Sequence, residues 1–205
     1  MPGKIRDKTL KPRKSPAQKR SAEMVEAILE AAARILENAG FVGYNTNAVA
    51  ARAGVSIGSL YQYFPGKDAL TAALIERETT MLLADITDVE AASTYQEALN
   101  HLIRAAVTHQ MRRPVLARLL DFEERRLPLD ERHERVGDRI VGTLTAILGR
   151  PDAGRFDDID AIAGDLLALV RGIIDTAGER GETDAPALEN RVQKAAFGYL
   201  DRCRL

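Results

Sequence analysis

The chain has 205 residues, of which 45% are apolar and 29% are charged, so it can bury the core of one larger domain or of two small ones. Aromatic residues make up only 5% and tryptophan is absent, a composition that favours helices over β-sandwiches and barrels. The single cysteine excludes an internal disulfide framework, and the formal net charge of −1 gives no sign of nucleic acid until its distribution is considered.

Charge is distributed unevenly along the chain. Residues 1–20 carry eight Lys or Arg and one Asp, a net charge of +7, whereas residues 21–68 carry −2 and residues 69–205 carry −6. We therefore expect residues 1–20 to form a basic, solvated and disordered arm. Such an arm either only solubilises the chain or contacts phosphates or the minor groove of DNA.

The first predicted helix begins near Ser15, which serves as N-cap, with Pro16 as first helical residue and Gln18 as reciprocal capping partner. Apolar residues then recur at helical spacing until Asn38-Ala39-Gly40 ends the helix. The apolar stripe consists of Val25, Ile28, Leu29, Ala32, Ile35 and Leu36.

Residues 46–68 predict two short helices that meet at a glycine turn. The second helix is capped by Thr46 and ends near Ala53, and the third is capped by Ser56 and ends near Phe64. Gly54 supplies the positive φ of the turn. Pro65-Gly66 then breaks the chain, and a fourth helix begins near Asp68. This arrangement is the skeleton of a helix-turn-helix that reads DNA, with Leu60 and Phe64 facing inward.

Beyond about residue 88 the pattern stays helical and no repeat is present. Five helices are predicted, at residues 94–109, 114–124, 130–148, 158–177 and 187–204, and the first four are separated by breaks near Pro114, Pro128 and Pro151. The last two carry broad apolar stripes, which either complete a core within the chain or pair with a second subunit. The candidates for a dimer interface are Leu166, Val170, Ile173, Val192, Ala195 and Tyr199.

Residues 27–70 closely resemble the N-terminal domain of the tetracycline-repressor (TetR) family of bacterial transcription regulators. The resemblance is carried by ILEAAARILENAGF and by GVSIGSLYQYFPGKDAL, which is similar to the family's signature. It implies an all-α fold with a helix-turn-helix domain at 21–68, whose connecting helix continues to about 85, and a regulatory and dimerisation domain at 69–205. It also implies a homodimer that represses transcription from a palindromic operator on double-stranded DNA until a small-molecule effector releases it.

The N-terminal turns of a recognition helix face the major groove, and here they hold Ser56, Ile57, Gly58 and Ser59. Gly58 lets the backbone approach the DNA, and Ile57 can contact a thymine methyl group. Gln62, one turn later, has the amide geometry that reads adenine. A plain cap is the alternative role for Ser56, and capping is compatible with a phosphate contact.

Other candidate DNA contacts flank this helix. Tyr61 and Tyr63 offer hydroxyls to phosphates or base edges, although a core position for Tyr63 remains an alternative. Thr46 offers a hydroxyl and helix N-terminal amides to a phosphate, and Asn47 can reach a base or a phosphate. Lys67 matches the phosphate-binding lysine that the family resemblance implies.

The C-terminal region offers candidates for an effector pocket, although apolar residues on helices more often belong to the core. The charged run from Asp121 to Arg126 indicates a solvated face. The pocket candidates are Met81, Tyr95, His101, Met111 and Phe122.

No motif for chemistry is present: the chain lacks G-x-S-x-G, the Walker A loop and the dinucleotide glycine fingerprint. We therefore expect no enzyme, no cofactor and no metal site. No apolar run reaches the roughly 18 residues of a membrane span, so a cytoplasmic protein is expected. Two other functions stay open, a DNA-binding protein without a small-molecule signal and a helical enzyme with a DNA-binding appendage.

Overall fold

The computed structural model describes residues 19–86, 89, 91–127 and 131–205, and nine α-helices lie within these ranges. The expected all-α fold is therefore confirmed. The cap at Ser15 and the basic arm as far as residue 18 lie outside the described residues. The helices are α1 (Lys19–Gly43), α2 (Thr46–Ala53), α3 (Ile57–Tyr63), α4 (Lys67–Asp85), α5 (Tyr95–Arg112), α6 (Pro114–Arg126), α7 (Glu131–Leu148), α8 (Ile159–Glu179) and α9 (Ala185–Cys203).

The chain divides into two compact units. The first contains the described residues up to Glu78 together with the segment that begins at Leu119, and the second contains Thr79–Arg118 and Glu131–Leu205. The boundary between Glu78 and Thr79 lies inside α4, the helix that the sequence predicted to connect the two domains. The end of α6, which the sequence placed in the C-terminal domain, belongs to the first unit. Of the described helices, none combines the length and the apolar character that crossing a membrane requires.

The first unit is built on the apolar stripe of α1. Ile28, Ala32 and Leu36 recur every four residues and are completely buried, as the helical period predicts. The predicted end of this helix near Gly40 is confirmed as a break, because Gly40 has φ 56° within the Lys19–Gly43 segment. The same unit buries the side chains of Val49, Leu60, Phe64, Leu70 and Leu74.

The second unit packs α5, α7, α8 and α9 around one core. Leu166 and Val192, which were expected at a dimer interface, are completely buried in that core, so this expectation was wrong for both. The apolar faces of α8 and α9 that carry these residues pack against other helices of the same chain. Val170, Ile173 and Tyr199 are half-buried and pack against the same core. The residues that define the core include Leu99, Ile103, Ile147, Leu148, Leu188, Ala196 and Leu200.

Two pocket candidates occupy positions that the sequence did not indicate. Tyr95 is buried in the core of the second unit, where the Arg204 guanidinium lies 5.2 Å from its ring centroid and donates to its hydroxyl. These contacts make Tyr95 part of the fold. Phe122 lies in the first unit, so the candidates are not gathered in one unit. Met81 has an exposed side chain, and His101 and Met111 are half-buried.

Replacing Gly54 by alanine tests the turn between α2 and α3. Gly54 has φ 70° and ψ 27°, a left-handed conformation that costs a residue with a Cβ roughly 1–2 kcal/mol. Urea unfolding of the full chain should therefore show a loss of about 1 kcal/mol in Gly54→Ala. Gly58→Ala is the matched control: its added Cβ would lie 3.7 Å from Ser56 Oγ, and alanine should stabilise the helix. Equal losses in both variants would contradict a conformational role for Gly54.

Candidate nucleic-acid interface

Helix α2 is capped by Asn45, one residue before the cap expected from the sequence. Asn45 has extended backbone dihedrals, and its side-chain oxygen accepts a hydrogen bond from Ala48 N at 2.9 Å. Thr46 is therefore the first helical residue and not the N-cap. Its hydroxyl lies 3.2 Å from the Tyr61 hydroxyl, so the two residues join α2 to α3.

The turn between the two helices has the backbone that the sequence predicted. Gly54 takes the left-handed conformation after the end of α2, and Val55 N donates to Ala50 O at 3.0 Å. Ala50 is buried, and its small side chain suits the place where the helices cross. The turn and crossing of the expected helix-turn-helix are therefore present.

Ser56 caps α3, as expected. Its Oγ accepts from Ser59 N at 3.0 Å, and the two serine hydroxyls lie 2.8 Å apart. Both serines therefore use hydroxyl groups to begin the helix. The exposed side chains left for other contacts on α3 are those of Ile57, Tyr61 and Gln62.

Leu60 and Tyr63 form the inner face of α3, and Phe64 lies directly after the helix. The inward positions of Leu60 and Phe64 are confirmed, since both are almost completely buried. Tyr63 differs from the expectation that it faces DNA: it is only 6% exposed, and its hydroxyl lies 2.8 Å from Ser21 Oγ of α1. Positions three and four residues apart share a helix face, so Tyr63 follows Leu60 inward. Sequence reasoning missed Ser21 because no local pattern connects it to α3.

Lys67 begins α4 beside two aromatic rings. Its Nζ lies 5.1 Å from the centroid of Tyr44 and 5.8 Å from that of Phe41, which are distances of cation–π contacts. Burial raises the pKa of the Tyr44 phenol, whose hydroxyl lies 3.1 Å from Thr71 Oγ1. The phenol therefore stays neutral at physiological pH, and Lys67 is positioned by ring faces.

The charged run in α6 contains a buried carboxylate, and the expectation of a solvated face was wrong for that residue. Glu123 is 4% exposed and accepts from Arg126 Nη2 at 2.6 Å. Arg126 Nη2 also donates to Asp68 of α4 at 2.7 Å. Hydrogen bonds to Glu123 and Asp68 raise the pKa of Arg126. Phe122, which is 61% exposed, lies 6.0 Å from Phe41 between ring centroids.

The exposed surface of the helix-turn-helix is uncharged on α3. No acidic or basic residue occurs in Ile57–Tyr63, and Asn47 is exposed on α2. Arg52, in the last turn of α2, is an exposed cation that sequence reasoning did not single out. Its presence in the first helix of the motif was the signal that could have identified it. The described ranges contain no group of three or more His, Cys, Asp or Glu that could hold a metal.

Two family models match the chain. Residues 28–74 match the model described as bacterial regulatory proteins, tetR family. Residues 94–200 match the model described as tetracyclin repressor-like, C-terminal domain. The second match covers more than half of the chain.

Individual proteins are similar over different extents. The HTH-type transcriptional repressor KstR of Mycobacterium tuberculosis is 33% identical over 96 residues, which are 46% of this chain. The chain matches 43% of the length of that relative.

Solved structures are similar over most of the chain. A TetR-family transcriptional regulator from Streptomyces coelicolor has a TM-score of 0.67 and 23% identity, covering 88% of this chain and 99% of that one. A TetR transcription regulator from Haloarcula marismortui has a TM-score of 0.76 and 21% identity, covering 89% and 98%. At these identities the similarity shows the fold alone.

The two carboxylates that Arg126 contacts should differ in their contribution to stability. Glu123→Gln should lower the free energy of unfolding by about 1–2 kcal/mol, because a buried carboxylate loses the charge that pairs with the partly exposed Arg126. Asp68→Asn is the matched change at an exposed carboxylate and should cost less than about 1 kcal/mol. Urea unfolding of both variants provides the comparison, and a larger loss in Asp68→Asn would refute the burial argument.

Proposed function

This chain belongs to the tetR family of bacterial regulatory proteins, and we propose that it represses transcription by binding a specific DNA sequence. The observation that carries the proposal is the α2–turn–α3 unit, whose second helix is anchored by Leu60 and Phe64. Its outer side presents an uncharged face suited to base edges. The relative KstR is described as an HTH-type transcriptional repressor, which agrees with this proposal.

In the proposed complex α3 enters the major groove with its first turn toward the bases. Ile57 contacts a thymine methyl group, Gly58 admits the backbone, and Gln62 pairs with adenine N6 and N7. Ser56 and Ser59 begin the helix beside this contact. The exposed, uncharged character of α3 supports base reading over simple phosphate attraction.

Phosphate contacts in the proposal come from residues around α3. Thr46 and Tyr61, whose hydroxyls lie 3.2 Å apart, offer hydroxyl donors from two helices to one phosphate. Lys67, Asn47 and Arg52 add donors along the same unit. These contacts set the orientation of α3 and carry little sequence information.

We further propose a homodimer that binds a palindromic operator. The half-buried Val170, Ile173, Ala195 and Tyr199 on α8 and α9 are the remaining interface candidates. A two-fold axis would present two copies of α3 to half-sites in successive major grooves. Sedimentation equilibrium tests this step, because a monomer at micromolar concentration would contradict it.

Release by a small-molecule effector is the proposed regulation. Helices α4 and α6 each contain residues of both units, so a ligand held in the second unit can bias helices that the first unit also uses. The ligand needs only to bind the conformation that lacks DNA affinity more tightly. Each difference of about 1.4 kcal/mol changes the population ratio tenfold. Footprinting of the DNA beside the gene, repeated with a metabolite panel, tests both operator binding and release.

Gln62→Ala should weaken operator binding by about 1–3 kcal/mol and relax one base preference, because the bidentate amide contact is lost. Fluorescence anisotropy with operator variants at that base pair measures both effects. Gln96→Ala, at an exposed glutamine of α5, is the matched control and should bind as the wild type does. Equal losses on operator and scrambled DNA would show that Gln62 is not a base reader.

Deleting residues 1–14 should flatten the salt dependence of operator binding. The deletion removes six Lys or Arg and one Asp. The slope of log K against log salt should fall by about one for each basic residue that contacts phosphate. Affinity measured between low and high salt for both chains gives the slopes. An unchanged slope would show that residues 1–14 make no contact with DNA phosphates.

A further inference from the structure

Apart from the tyrosines, three polar or charged side chains are buried among the described residues, and one of them differs from the other two. Thr71 donates to Lys67 O, and Glu123 is paired with Arg126. Gln110 on α5 is 5% exposed, and within the described ranges its Nε2 has no hydrogen-bond partner. A buried amide donor without an acceptor is destabilising, so its presence in a core calls for an explanation.

The buried residues that share a helix face with Gln110 on α5 are apolar. Ile103 and Val107 precede it on α5 by two turns and one turn, and both are buried in the core of the second unit. Ile174 and Ala177 of α8 belong to the same core. A charged group placed among these side chains would lose its hydration without a compensating partner.

The absence of a side chain at Gly178 of α8 leaves the space that the Gln110 amide occupies. A Cβ built on Gly178 would lie 2.5 Å from Gln110 Nε2, closer than any side chain could remain without movement. Gly178 is buried in the last turn of α8, where glycine costs more backbone entropy than alanine would. Two unfavourable choices, a glycine in a helix and a donor without an acceptor, therefore occur at one place.

We propose that Gln110 Nε2 is the donor that recognises the effector, and that the effector is an uncharged, mainly apolar molecule with a carbonyl-type oxygen. This inference rests on the proposed function, since it names the chemistry of the ligand that releases DNA. The oxygen supplies the acceptor that the amide lacks, and the apolar body contacts side chains such as Val107 and Ile174.

The test uses two small probes of similar shape, cyclohexanone and methylenecyclohexane, with the full-length protein and no DNA. Side-chain amide spectra of ¹⁵N-labelled protein identify the Gln110 signal by its loss in Gln110→Met. We expect cyclohexanone to shift that signal and to bind about fivefold more tightly than the hydrocarbon, the value of one hydrogen bond of ordinary strength. The preference should vanish in Gln110→Met.

Two further variants sharpen the result. Gln193→Met is the matched control: Gln193 Nε2 already donates to Glu189 Oε1 at 3.1 Å, so the preference for the ketone should persist. Gly178→Ala should reduce the preference, because the new Cβ displaces the amide. Equal affinities in the wild type, or a preference that survives in Gln110→Met, would overturn the proposal. A Gln110 signal that contacts a long-lived water and does not respond to the ketone would overturn it too.

The proposed DNA-binding function is tested by a separate measurement. A footprint on the operator is measured with the same preparation, and its absence would refute DNA recognition whatever the probes do. An intact footprint in the wild type and in Gln110→Met, together with no ketone preference, would leave DNA recognition standing and refute the role of Gln110.

Discussion

The burial of the inner face of α3 is the constraint on which the proposed DNA contact depends. A helix of seven residues is not stable alone, because nucleation costs more than its few hydrogen bonds return. The side chains of Leu60, Tyr63 and Phe64 fix it to the first unit, and Ser56 satisfies its first turn. Because these side chains face the core, the helical period places Ile57, Tyr61 and Gln62 on the solvent-exposed face of α3.

Features that depend on the periodicity of one helix were predictable from the sequence. The identity of the capping residue and of the packing partners was not. The helices, the glycine turn and the inward Leu60 follow from period and local chemistry. The N-cap moved from Thr46 to Asn45 because both residue types cap helices, and only the backbone conformation decides between them. Leu166 packs in the core of its own chain. An apolar stripe predicts that a helix face is buried, but it does not identify the partner that buries it.

Buried polar groups were the least predictable part of the candidate site. Glu123 belongs to a run that is charged at almost every position, so its burial depends on Asp68 and Arg126 meeting across 58 residues of sequence. The same contact explains why the end of α6 belongs to the first unit. Tyr63 has its partner, Ser21, 42 residues away. Such long-range pairs leave no periodic signal, and only the folded chain brings them together.

Charge and specificity are separated along this chain, and the separation has consequences for the proposed regulation. The basic residues concentrate in the first 20 positions, whereas α3 carries no charge at all. In the proposed complex, attraction to phosphate governs affinity for any DNA, and neutral groups on α3 govern the choice of sequence. The proposed effector, if it moves α3, would remove the base contacts first, because they require a geometric fit that electrostatic attraction does not. Residues 69–205 carry a net charge of −6, so long-range attraction to DNA in the proposed complex comes from the basic arm and not from the rest of the chain.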